Sequence, residues 1–126
     1  MSKKRILIID EAGFSRVCSA ILELEGYSAE VVSADREKQA QDFERGEFGL
    51  VITSYPYGVS IFKELKIRKL PTMVLSDHVN EDLVSILDGF EKAYCMIKPI
   101  DYQRFTALVK QVMNGELSAQ GGFNIV

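Results

Sequence analysis

The sequence ILIIDE, residues 6–11, decides the fold class of this 126-residue chain: an unbroken apolar run is ended by two acids. A short apolar run without alternation is typical of a strand that is covered on both faces, as in a parallel sheet. Comparable runs occupy 48–53, Thr72–Ser76 and Ala93–Ile97, and a weaker one occupies Ala29–Val32. We therefore predict five strands.

The segments between these strands have apolar residues at helical spacing. The clearest case follows the fourth strand, where Asn80 can cap a helix whose apolar face has positions i, i+3, i+4 and i+7. We predict five helices in all, from the apolar spacing of 14–22, the segment 35–45, the residues 61–65, the residues 83–90, and the residues 105–112 after a cap at Asp101.

Strict alternation of strands and helices predicts a parallel sheet with helices on both faces. Right-handed crossovers leave few topologies, and the natural one at this length is a doubly wound, flavodoxin-like α/β fold with strand order 2-1-3-4-5. Residues 1–126 are expected to form a single domain with a core of about 4–115. The segment 116–126 has no periodicity and contains adjacent glycines, so we expect a tail or linker there.

The composition limits the classes of function. A formal net charge of −3 argues against binding to nucleic-acid phosphates by this domain. No apolar run is long enough for a signal peptide or a membrane span, so we expect a cytoplasmic domain that does not contact membranes. Cys18 and Cys95 lie in apolar stretches without metal-ligand spacing, which predicts two buried free thiols.

Polar residues follow four of the predicted strands. Asp10 and Glu11 follow the first, Ser54 the third, Ser76 the fourth and Lys98 the fifth. Ligands of open α/β sheets bind outside the carboxyl ends of the strands. We therefore expect these residues to face one crevice.

These residues, in this order and at these strand ends, make the chain similar to the receiver domain of two-component response regulators over about 4–115. The resemblance implies that Asp10 and Glu11 match the acidic pair that holds Mg²⁺ in that family, and that Ser76 and Lys98 match the hydroxyl and lysine that respond to a phosphoryl group. It also implies a cis bond before Pro99, although trans is the general expectation for such a bond.

Ser54 departs from the family pattern, because it stands where receivers have the aspartate that accepts a phosphoryl group from a histidine kinase. A serine cannot form an acyl phosphate and is a poor nucleophile without a base. The following loop also differs, since Pro56 comes two residues after this position and receivers usually have a proline four residues after it. We therefore predict a degenerate phosphorylation pocket of Asp10, Glu11, Ser54, Ser76 and Lys98. We expect no cofactor beyond residual Mg²⁺ at Asp10 and Glu11.

The loop residues Tyr55, Pro56 and Tyr57 leave two alternatives open. They could cover the pocket or contact a partner, or they could simply pack within the loop.

Together these features favour a pseudo-receiver, which is a protein-interaction module and not an enzyme. The resemblance implies a second copy, a histidine kinase or an output domain as partners, with self-association through the helix after the fourth strand, the fifth strand and the last helix. One alternative is an active phospho-switch with an atypical pocket. Another is a flavin-binding or hydrolytic enzyme on the same fold, which is disfavoured because 11–15 lacks a phosphate-binding loop and no oxyanion hole accompanies Ser54 and Lys98.

Overall fold

The structure is a computed structural model that describes residues 5–10, 12–32, 48–55, 57, 61–90, 92–115 and 123–125. The strands are β1 (Arg5–Ile9), β2 (Ala29–Val32), β3 (Phe48–Ser54), β4 (Thr72–Ser76), β5 (Ala93–Ile97) and β6 (Phe123–Ile125). The described helices are α1 (Ala12–Leu24), α2 (Phe62–Arg68), α3 (Glu81–Leu87) and α4 (Tyr102–Met113).

All strand pairs are parallel, and the strand order is β2-β1-β3-β4-β5-β6. The five predicted strands and their order 2-1-3-4-5 are therefore confirmed. Four of the five predicted helices lie where they were expected, and the one predicted at 35–45 falls outside the described residues.

The sheet differs from the prediction at its end beyond β5. Residues 123–125 were assigned to a tail or linker, but they form β6, which pairs with 93–95 of β5. Three residues are too short for a periodic pattern, and the strand exists because the β5 edge offers backbone partners. The rest of the expected tail falls outside the described residues.

The sheet is buried on both faces, as the apolar runs predicted. Because side chains alternate along a strand, Leu7 and Ile9 join a core beneath α2 and α3, while Ile6 and Ile8 join a core beneath α1 and α4. Each of these β1 side chains is fully buried. Such burial stabilises the fold by roughly 1.5–3 kcal/mol per side chain.

The helix ends follow the expected signals. The side chains of Asn80 and Asp101 accept backbone N–H groups at the starts of α3 and α4. Gly26 and Gly115 follow α1 and α4 with φ of +91° and +69°, a conformation that glycine adopts without steric cost. Within the described ranges, no helix has both the length and the apolar character needed to cross a bilayer.

Candidate functional site

The strand register brings the predicted residues to the carboxyl edge of the sheet. Ile9 pairs with Thr53, which sets Asp10 beside Ser54 at the ends of β1 and β3. The backbone N–H of Lys98 donates to the carbonyl oxygen of Ser76 at 2.8 Å, which joins the ends of β5 and β4. Asp10, Ser54, Ser76 and Lys98 therefore share one edge, and Glu11 lies outside the described residues.

Ser54 and Asp10 form the central contact of this edge. The Ser54 hydroxyl donates a hydrogen bond to Oδ2 of Asp10. The two residues are only 3% and 4% exposed. Hydrogen bonds to a carboxylate are stronger than those between neutral groups. The last residue of β3 is thus a neutral hydroxyl donor that already bonds to the neighbouring acid.

The side chain of Ser76 forms hydrogen bonds with the backbone of the loop that follows it. Its hydroxyl donates to the carbonyl oxygen of His78 at 2.8 Å, and the backbone N–H of His78 approaches the Ser76 oxygen at 3.4 Å. This is the local turn that serine side chains commonly make after a strand. The Ser76 hydroxyl therefore stabilises the loop before α3.

Lys98 is partly buried beside α1. Its ammonium group lies 5.2 Å from the centroid of the Phe14 ring. This distance is within the range of a cation–π interaction. The bond between Lys98 and Pro99 is cis, as the resemblance implied.

Cys18 lies on α1 beneath the same edge and is fully buried. Burial, followed by the charge of Asp10, raises the pKa of its thiol to about 12, and the charge of Lys98 partly offsets this. The thiol is therefore neutral at physiological pH and is not a nucleophile. Cys18 and Cys95 are both free and buried, as predicted.

Two further hydroxyls are buried near the ends of the strands and were not singled out from the sequence. Ser15 Oγ on α1 and Thr53 Oγ1 on β3 have no hydrogen-bond partner among the described residues. The sequence offered one sign that α1 faces this edge. Phe14 and Cys18 are apolar and four residues apart, and residues at that spacing lie on the same face of a helix.

Of the acidic pair predicted to hold Mg²⁺, Asp10 alone lies among the described residues. Mg²⁺ takes octahedral oxygen ligands, usually one or two carboxylates together with several waters. Among the described residues, no group of three or more His, Cys, Asp or Glu could hold a metal ion. One oxygen of Asp10 already accepts the Ser54 hydroxyl. Residual Mg²⁺ binding by Asp10 and Glu11 therefore stays a prediction.

The tyrosines of the following loop are half-buried. Tyr55 and Tyr57 pack against the core beneath α2 and α3, and the Tyr55 backbone N–H donates to the carbonyl oxygen of Leu75 at 2.8 Å. These contacts favour packing within the loop. A contact of this loop with a partner stays a prediction, and Pro56 lies outside the described residues.

Comparison with solved structures identifies the fold. A response regulator receiver domain protein (CheY-like) from Methanospirillum hungatei JF-1 is 22% identical, with a TM-score of 0.76 over 91% of this chain and 97% of that chain. A two-component response regulator from Clostridium difficile is 18% identical, with a TM-score of 0.76 over 91% and 99% of the two chains. The response regulator TrrA from Thermotoga maritima, in complex with Mg²⁺ and BeF, is 21% identical, with a TM-score of 0.67 over 86% and 98%.

The chain therefore has the fold of response-regulator receiver domains. No protein-family model matches the sequence, and no curated protein matches it.

Proposed function

We propose that this chain is a receiver-like signalling domain of a two-component response regulator that acts by protein association and without phosphorylation. The observation that supports this proposal is the buried hydrogen bond from Ser54 to Asp10. At the position where the receiver resemblance implies a carboxylate that accepts a phosphoryl group, the chain has a hydroxyl that already donates to Asp10.

The chemistry of Ser54 disfavours phosphoryl transfer in two ways. A serine forms a phosphate ester and not the acyl phosphate on which receivers depend. Among the described residues, Asp10 is the base in contact with Ser54, but residues that are 3% and 4% exposed offer a phosphodonor almost no surface to approach. In-line attack requires the donor to reach the hydroxyl oxygen.

The two residues that would respond to a phosphoryl group are also engaged elsewhere. The Ser76 hydroxyl bonds to the backbone of its own loop, and the Lys98 ammonium lies against Phe14. A switch would have to break both contacts before either group could reach an anion near Ser54. This arrangement favours a fixed pocket over a switching one.

The same contacts disfavour a hydrolytic enzyme. A serine nucleophile needs a base within hydrogen-bond reach, and the Asp10 carboxylate meets that requirement. A substrate must also reach the hydroxyl oxygen, however, and Ser54 is only 3% exposed. The Lys98 ammonium, which is the other candidate group, lies against the ring of Phe14. We therefore propose a role in binding and not in catalysis.

The proposed partners are proteins: a second copy of the chain, a histidine kinase or an output domain. Self-association would use the face formed by α3, β5 and α4, which the receiver resemblance implies, and two-fold pairing is its simplest form. The acidic net charge of −3 disfavours direct contact with nucleic acid. We also propose a cytoplasmic location, where receiver domains meet their kinases.

A small acyl-phosphate donor tests the proposal. The chain is incubated with the donor and Mg²⁺, and its intact mass is followed over time, with the variant Ser54→Asp treated in parallel. We expect no phosphoryl adduct on the natural chain. A stoichiometric adduct, at Ser54 or at any other residue, would show that the domain is an active phospho-switch and would overturn the proposal.

A further inference from the structure

The outer face of α1 has a row of apolar residues that faces solvent. Val17, Ala20 and Leu24 have the spacing i, i+3 and i+7, so they lie one above another along the helix. Val17 is 46% exposed and Leu24 is 88% exposed. The opposite face of α1 supplies three fully buried residues: Ser15, Cys18 and Leu22. A single exposed leucine is ordinary, but a row at this spacing is the pattern by which two helices pair.

Two charges of opposite sign flank this row on one side. Arg16 and Glu23 are both exposed and lie seven residues apart, which is about 10 Å along the helix. Neither forms an ion pair with another residue that the structure describes. On the other side of the row, Glu25 already pairs with Lys110 at 2.8 Å within the chain. Arg16 and Glu23 are therefore the charges that α1 can offer to a neighbouring molecule.

The arrangement of row and charges is self-complementary. In a two-fold pair of antiparallel α1 helices, each row packs against the same row of the second copy, and the order of the residues is reversed. Arg16 of each copy then lies beside Glu23 of the other, so one pairing forms two symmetric ion pairs. In a parallel pair, the flank with these charges would meet the opposite flank of the second helix, and Arg16 would not reach Glu23.

We propose that the outer face of α1 is a self-association surface, which binds α1 of a second copy in antiparallel two-fold pairing. The inference goes beyond the proposed function, since it concerns a different surface from the face of α3, β5 and α4 and does not depend on the Ser54 pocket. Because α1 is only about 20 Å long, one helix pair is smaller than a stable interface of roughly 800 Å² per partner. The association is therefore weak and depends on concentration.

Substitution of the apolar row tests the surface. Sedimentation equilibrium of the full chain, over a series that extends to millimolar concentration, gives the dimer dissociation constant. Leu24→Gln removes the most exposed side chain of the row and keeps the helix propensity. The matched control is Ile67→Gln on α2, where the isoleucine is 65% exposed. We expect the control to dimerise like the natural chain and Leu24→Gln to dimerise at least about tenfold more weakly, because each dimer buries this residue twice.

Charge reversal gives an independent answer. Arg16→Glu leaves two acids on the flank and Glu23→Arg leaves two bases, so each variant alone should dimerise about fivefold more weakly at low ionic strength. In an equimolar mixture, the acids of one variant face the bases of the other, and the mixed dimer should recover the affinity of the natural chain. A misfolded variant cannot produce this recovery.

Three results would overturn the inference. A natural chain that stays monomeric throughout the series would show that the face does not associate. Equal dissociation constants for Leu24→Gln and Ile67→Gln would show that a dimer forms through another surface. A mixture that associates no better than either charge variant alone would exclude the antiparallel pairing.

These results are separable from the test of the proposed function. A phosphoryl adduct reports on the Ser54 pocket and would overturn the phosphorylation-independent role while the pairing of α1 still stood. Conversely, the loss of α1 pairing would leave the pocket without phosphoryl chemistry.

Discussion

The hydroxyl of Ser54 at the end of β3 donates to the carboxylate of Asp10 at the end of β1, and both residues are buried. The contact joins the strands on either side of the switch between β1 and β3, where ligands of doubly wound folds bind. In this contact Asp10, which the receiver resemblance assigns to metal binding, serves as an internal hydrogen-bond acceptor. The pocket therefore contributes to stability, and several consequences can be measured.

Replacing Ser54 with Ala should destabilise the fold. The Asp10 carboxylate would lose a buried hydrogen bond, and a hydrogen bond to a charged group contributes about 1.5–3 kcal/mol. Urea denaturation measures the free energy of unfolding. The matched control is Ser85→Ala on the exposed surface of α3, where the change should stay within about 0.5 kcal/mol. Equal losses in the two variants would mean that the Ser54 contact adds no stability.

Replacing Ser54 with Asp should create a dependence on Mg²⁺. Two neighbouring buried carboxylates repel one another, so the variant should be less stable than the natural chain in the absence of metal. Mg²⁺ would relieve this repulsion, and at about one hundred times its dissociation constant it should stabilise the variant by about 2.7 kcal/mol. Thermal unfolding with and without Mg²⁺ measures the effect.

The control for this variant is Ser54→Asn, which is similar in size to Asp and uncharged. Its unfolding temperature should respond to Mg²⁺ no more than that of the natural chain. An equal response of the natural chain and the Asp variant would contradict the view that Ser54 weakens the metal site.

Replacing Cys18 with Ala should change how stability depends on pH. Burial and then Asp10 raise the pKa of this thiol from 9.0 to about 12. Between these values the unfolded chain releases the proton and the folded chain keeps it. The contribution of the Cys18 thiol to the free energy of unfolding is therefore fully present below about pH 9. It is lost as the pH rises towards 12, with a slope of up to about 1.4 kcal/mol per pH unit.

The Cys18→Ala variant should lose stability less steeply above about pH 9 than the natural chain, although its stability at neutral pH is lower because of the cavity. Denaturation at a series of pH values gives both slopes. Cys95 and Tyr94, whose pKa values burial also raises, are present in both chains and cancel in the difference. Parallel curves of stability against pH for the two chains would contradict the raised pKa of Cys18.

Lys98 and Phe14 should be energetically coupled. Replacing Lys98 with Met should cost about 0.5–2 kcal/mol of unfolding free energy if the ammonium is stabilised by the ring. Lys63→Met on the exposed surface of α2 serves as the control. In a double-mutant cycle with Phe14→Leu, the loss from Lys98→Met should shrink. Strict additivity would show that the two side chains do not interact.

Much of the fold could be predicted because its strands are buried on both faces. The bounds of β4 and β5 were predicted as the structure has them, since continuous apolar runs such as Thr72–Ser76 have no exposed face to interrupt them. β6 was missed because its three residues have no pattern of their own and depend on a partner distant in the sequence.

The placement of the site could also be predicted, but its contacts could not. Topology alone brings Asp10, Ser54, Ser76 and Lys98 to one edge. It does not decide that the Ser76 hydroxyl turns back to His78, or that the Lys98 ammonium lies over Phe14. These choices depend on competition between nearby partners over distances of a few ångströms, and sequence spacing does not resolve such distances.

The most direct test of the central claim is a titration of the natural chain with Mg²⁺ and then beryllofluoride, followed through the amide NMR signals of Asp10, Ser54, Ser76 and Lys98. We predict no saturable, site-specific shift on addition of beryllofluoride, beyond any change at Asp10 from residual Mg²⁺ binding, because the Ser54 hydroxyl and the Asp10 carboxylate already bind one another. Saturable shifts at these four residues would show that the pocket still binds metal and a phosphoryl mimic, and would contradict a phosphorylation-independent domain.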